Sequence, residues 1–90
     1  MKKLYHATTP KKARLYRQTG YIRKPVRGFT TLQGAMAWSL KVERKVIYEI
    51  TGTDANCHKM PDHHNAWGEA WWFDENISDF RCVFSADKDA

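Results

Sequence analysis

The order of segments along this chain predicts an α+β domain with a small, curved, mostly antiparallel sheet and two helices. Three observations carry that reading. Lys45 to Thr51 is dense in β-branched and aromatic residues, the composition of a half-buried strand. Two stretches carry helix start signals, Thr9-Pro10 and Thr31, each followed by apolar residues at helical spacing. Two late apolar runs, Glu69 to Phe73 and Phe80 to Ser85, flank the acidic turn Asp74-Glu75-Asn76, as consecutive antiparallel strands do.

The elements follow in order. Lys3 to Thr8 reads as a first strand. Thr9 caps a helix with Pro10 at its first position, where the missing N–H costs nothing. That helix runs to about Gln18, turns Ala13 and Tyr16 inward, and stops at Gly20. Tyr21 to Arg27 reads as irregular, with Pro25 arguing against a central strand. Gly28 to Thr31 is extended, and Thr31 caps a second helix reaching about Val42. Leu32, Met36 and Leu40 stack along it, beside Ala35 and Ser39. Gly52 to Asn65, with Asp, Asn, Pro and three histidines, reads as a polar loop. The chain is expected to be one domain over residues 1–90, with a frayed tail from Asp87.

Composition narrows the function classes. Aromatics make up 13% of the 90 residues, enough to build a core, which argues against disorder. No apolar run approaches the roughly 20 residues of a membrane helix. Mixed sequence follows Met1-Lys2-Lys3 where a signal peptide needs an apolar stretch, so the expectation is a cytoplasmic protein with no membrane partner. Cys57 and Cys82 are too few for a disulfide framework, and Cys82 reads as a buried small side chain. Charge is uneven: residues 1–51 hold 12 Lys/Arg against 2 acids, and residues 52–90 hold 3 against 8. The basic half attracts phosphates or is a solvated face. Small size and basic charge suit a phage or mobile-element product.

Several residues have types and positions suited to chemistry. His6, at the end of the first strand, is placed either to bond a ribose hydroxyl or to be satisfied by a neighbouring carbonyl. Gly28-Phe29-Thr30-Thr31 offers hydroxyls and a ring at a strand-to-helix junction, where helix N–H groups favour phosphate. Its plainer reading is a cap and a core ring. Trp38 suits either a ligand wall or the core. Glu69 stands among Trp67, Trp71 and Trp72, surroundings that alter a carboxyl pKa, or it faces water on an edge strand. Cys57, His58, Asp62, His63 and His64 are metal-ligand types, but adjacent histidines in extended chain point apart and no CxxC pair is present, so no metal is expected. A Ser/His/Asp hydrolase lacks its Gly-x-Ser-x-Gly elbow.

These segments, taken in order, resemble the ADP-ribosyltransferase superfamily, which includes bacterial toxins, the poly-ADP-ribose polymerases and the RNA 2'-phosphotransferases. Leu4-Tyr5-His6-Ala7-Thr8 is similar to its His-containing first strand. Gly28 to Trp38 is similar to the strand that runs into a small-residue helix. Glu69-Ala70-Trp71-Trp72 is similar to its late glutamate-led strand. The resemblance spans roughly residues 3–86. It implies a split, curved sheet with NAD, as substrate, in a cleft between the halves.

It also implies roles. His6 would hold the adenosine ribose, and Thr8 or nearby backbone the nicotinamide amide. Phe29 or Trp38 would pack on the nicotinamide ring, with Thr30 in the same motif and Arg27 or Arg23 near the pyrophosphate. Glu69, catalytic together with His6, would bond the nicotinamide ribose and stabilise positive charge as nicotinamide leaves. Phe29 or Thr30 stands where the family usually has tyrosine. Trp67 stands two residues before the glutamate, where arginine-directed members carry Gln or Glu. The acceptor is an unknown protein or nucleic acid.

Two non-catalytic readings compete with this one. Arg14, Arg17, Arg23, Lys24 and Arg27 could serve a basic nucleic-acid-binding module. The tryptophans could serve an inhibitor or adaptor that docks on a protein.

Overall fold

The computed structural model describes residues 1–86; the expected frayed tail from Asp87 lies outside them. The elements are β1 (Lys2–Thr8), α1 (Pro10–Thr19), β2 (Val26–Phe29), α2 (Leu32–Lys41), β3 (Val46–Gly52), a 3-10 turn (Asp54–Asn56), β4 (Cys57–Asn65), β5 (Gly68–Phe73) and β6 (Asp79–Ser85). All six strands join one sheet in the order β4-β5-β2-β1-β3-β6, and every pairing is antiparallel. The class is α+β with two helices, as the segment order predicts.

Strand alternation divides the core in two. Leu4, Val46, Tyr48 and Ile50 face one side, packing with Phe73, Ile77 and the inward residues of α1, Ala13 and Tyr16. Ile47 and Phe29 face the other side with Ala70 and Ala35 of α2. Each helix therefore covers one face. Both caps form as expected: Thr9 accepts from the Lys12 N–H, Thr31 from the Gly34 N–H, and Gly20 ends α1 in the left-handed region at φ 82°.

Four sequence expectations are corrected. The 52–65 loop is largely β4, an edge strand paired to β5. Main-chain bonding to a neighbour needs no apolar side chains, and the register shift between Lys59 and His64 takes up Pro61. Val26 begins a central strand directly after Pro25, which sits just before the ladder and withholds no N–H from it. On α2 the buried residues are Gly34, Ala35 and Ser39, with Leu32 and Met36 partly buried against the same core, while Leu40 is 82% exposed, so the expected stack fails at its last member. Cys82 is exposed, because β6 is the other edge of the sheet. No helix among the described residues is long and apolar enough to cross a membrane.

Candidate functional site: a cleft where the sheet divides

The sheet is continuous but weakly joined at its centre. β1 pairs with β3 along all seven residues, and β2 pairs with β5 along all four. Between β1 and β2 a single pair, Tyr5–Phe29, stands in register. Beyond it, toward Thr8 and Val26, no further residues of the two strands pair in register. The junction itself is tight. A Cβ on Gly28 would lie 2.8 Å from the Leu4 Cβ and 2.9 Å from the Tyr5 carbonyl oxygen, so only glycine lets the strands meet there.

His6 spans the gap just past this junction. Its Nδ1 lies 2.6 Å from the Arg27 carbonyl, an acceptor only, so Nδ1 carries the proton. Its Nε2, 3.0 Å from the Tyr16 hydroxyl, then accepts from Tyr16. The Tyr16 oxygen in turn lies 3.2 Å from the Thr8 hydroxyl, which donates to it. The ring is thus fixed in one tautomer by partners on β1, α1 and β2. Burial, with the positive charges of Lys12 and Arg44 nearby, pulls its pKa down to about 4 against the bond to Arg27, so the ring is neutral at physiological pH. Burial also raises the Tyr16 pKa.

A cleft of about 820 Å³ opens at this division, and His6, Arg23, Arg27, Phe29 and Trp38 all line it. Phe29 is nearly buried and stands 6.3 Å from Trp38, whose ring remains 39% exposed as a wall. Sequence reasoning missed several lining residues. Lys12 and Tyr16 come from α1, Lys41 from the end of α2, Arg44 from the turn after it, and Trp67 from the β4–β5 turn. Glu43, at a left-handed φ of 58°, closes that turn, and the Arg44 N–H donates to the Ser39 carbonyl. Helical spacing already marks Tyr16 as inward; nothing local to Arg44 or Trp67 marks them, because the sheet order brings them there.

The cleft wall holds five fixed cations (Lys12, Arg23, Arg27, Lys41 and Arg44) and one carboxylate, Asp62. The four ion pairs among the described residues include none of these cations.

Other nominated residues hold the walls together instead of forming them. Thr8 is fully buried, with its hydroxyl committed to Tyr16. Thr30 ties β2 to β5: its N–H donates to the Glu69 carbonyl and its hydroxyl accepts from the Glu69 N–H. Thr31, besides capping α2, donates to the Trp67 carbonyl at 2.6 Å.

Glu69 lies outside the cleft wall. β5 is an interior strand, not an edge, yet the Glu69 carboxylate is exposed on the sheet face opposite Ala70, which does line the cleft. It pairs with Lys59 at 2.7 Å and accepts from the Trp71 indole N–H at 3.3 Å. Those contacts, Lys59 foremost, hold its pKa below the ordinary carboxyl value.

The basic set divides as well. Arg23 and Arg27 line the cleft, whereas the exposed Arg14, Arg17 and Lys24 stand outside it, Arg17 donating to the Tyr48 hydroxyl at 3.4 Å. Trp67 is 62% exposed, while Trp71 and Trp72 are half-buried, under Lys2 and against His58 respectively. Among the described residues no three His, Cys, Asp or Glu side chains gather as metal ligands. Compared with known proteins, the chain matches no family model, no curated protein and no solved structure.

Proposed function

We propose that this chain is an ADP-ribosyltransferase-like protein that binds NAD in the cleft at the sheet division. The observation that carries the reading is the wall itself: five cations without an ion pair among the described residues, beside the partly exposed Trp38, in a cleft at the sheet's sparsest central pairing. A dinucleotide has the matching parts, a pyrophosphate and flat rings. Arg27 and Arg23 hold the pyrophosphate, and Trp38, backed by Phe29, takes a ring face. His6, with both nitrogens bonded, shapes the floor. It reaches a ribose hydroxyl only by releasing Tyr16, and the neutral ring makes that exchange between two hydroxyl donors possible.

Transfer chemistry, which the resemblance gives to Glu69, needs more than release from Lys59: the carboxylate projects from the sheet face opposite the cleft, so the start of β5 must also turn it over. Its task is to bond a ribose hydroxyl and to stabilise positive charge as nicotinamide departs, which requires position more than basicity. Binding and turnover therefore separate. Calorimetry with NAD should give a heat of binding that Arg27→Ala weakens and Glu69→Gln leaves intact, while release of nicotinamide, where it occurs, disappears in Glu69→Gln. No binding at millimolar NAD ends the proposal. Turnover that survives Glu69→Gln removes the glutamate from it.

The alternative of a non-catalytic basic module on nucleic acid has its own support in the exposure of Arg14, Arg17, Arg23, Lys24 and Arg27. It differs in predicting that Arg14 and Arg17, outside the cleft, matter as much as Arg27.

A further inference from the structure

The cleft carries more positive charge than a dinucleotide uses. A pyrophosphate brings about two negative charges at neutral pH, and Arg23 with Arg27 already answer it. Lys12, Lys41 and Arg44 remain; among the described residues Asp62 is the one carboxylate on this wall, and none of the three cations joins an ion pair. Unpaired cations gathered on one concave wall repel one another, a cost that an anionic ligand relieves. Lys12 and Arg44 both lower the His6 pKa, which places their charge at the same corner of the cleft.

Two tryptophans stand at this wall with open surface, Trp38 at 39% and Trp67 at 62% exposure. The Trp67 backbone is held in place: its N–H donates to the Asn65 side chain at 2.9 Å, and its carbonyl accepts from Thr31. Cations that track a phosphate backbone, interleaved with open rings, are what an unpaired strand of nucleic acid requires. A duplex hides its base faces in the stack, and an acidic peptide has no flat rings to offer.

We propose that this cleft also seats a single-stranded nucleic acid, its phosphates on Lys12, Lys41 and Arg44 and its bases stacked on Trp38 and Trp67. The inference rests on the cleft being the ligand site, as proposed above, and not on NAD being turned over.

The test is fluorescence anisotropy with labelled eight-nucleotide single strands of DNA and of RNA, a hairpin duplex and an acidic peptide of equal charge. Single strands should bind with a log–log salt slope of about −2 or steeper, since each phosphate contact contributes about 0.7. Lys41→Gln and Arg44→Gln should each flatten that slope by about 0.7. Trp67→Ala should weaken binding roughly tenfold, the scale of one lost base stack. Arg14→Gln, on the outer side of α1, should change neither.

Equal binding of the duplex or the peptide overturns the proposal, as does loss confined to Arg14→Gln or an unchanged affinity in Trp67→Ala. The difference between the RNA and DNA strands identifies which sugar the cleft prefers. NAD calorimetry on the same preparation separates the two readings. NAD binding without oligonucleotide binding overturns this inference alone, and the reverse overturns the NAD reading and leaves this site standing.

Discussion

His6 and Glu69, the two residues that the sequence nominates for chemistry, occupy opposite kinds of surroundings. His6 is held by three elements, has both nitrogens bonded and is shifted to a pKa of about 4. Glu69 projects from β5 into solvent, where one lysine and one indole are its side-chain partners. The histidine is therefore part of the architecture, closing the gap where the β1–β2 ladder stops. The glutamate is free to move at small cost. His6 therefore belongs to the cleft floor, whereas Glu69, although exposed, stands on the sheet face away from the cleft.

The contrast is first tested by pH, where the effect is largest. The folded His6 pKa lies below its ordinary value of 6.5, so the fold prefers the neutral ring. Its stabilisation is complete above pH 6.5 and is lost as pH falls through 6.5 toward 4, because the unfolded chain takes up the proton first. A shift of this size corresponds to about 3 kcal/mol. Glu49, Glu69 and Glu75 have lowered pKa values, so their contribution is present above the unfolded carboxyl pKa and is lost only at lower pH. The window between pH 6.5 and 4.5 thus belongs mainly to His6. Urea midpoints at pH 7 and 4.5 should differ markedly in the wild type and far less in His6→Gln. Equal pH dependence in the two would show that His6 is not the linked group.

A smaller effect isolates the partner. Tyr16→Phe keeps the ring packing against Tyr48 and Phe80 but removes the donor to His6 Nε2. Leaving that acceptor unmet should cost about 1–3 kcal/mol in urea unfolding. No loss would mean that water reaches the nitrogen as easily as Tyr16 does. The smallest effect is expected at Glu69. Glu69→Gln breaks an exposed ion pair and should barely move the urea midpoint, with the difference vanishing in high salt. A larger, salt-insensitive loss would place Glu69 among the structural residues and dissolve the contrast.

The legible parts of the sequence were those set by local rules. Thr9, Thr31 and Gly20 mark helix ends because capping involves only neighbours, and Val46 to Thr51 announces a strand by composition. His6, Arg23, Arg27, Phe29 and Trp38 do meet at one cleft. What could not be read depends on partners far along the chain. β4 looks like a loop because an edge strand with a displaced register is specified by β5, not by its own polar residues. Glu69 and Ala70 face opposite ways, so the choice of which one meets the cleft is a matter of strand parity, which a one-residue change in reading reverses. Arg44 and Trp67 join the site through the sheet order alone.

The central claim is that the division between β1 and β2 is a nucleotide-binding cleft. An amide NMR titration with NAD tests it most directly, following the tryptophan indole signals as well. The predicted result is a cluster of shifts at Ala7, Arg27, Gly28 and the Trp38 indole, with the exposed face of α1 at Arg14 and Gln18 unmoved. Shifts confined to that outer face, or none at millimolar NAD, would contradict it.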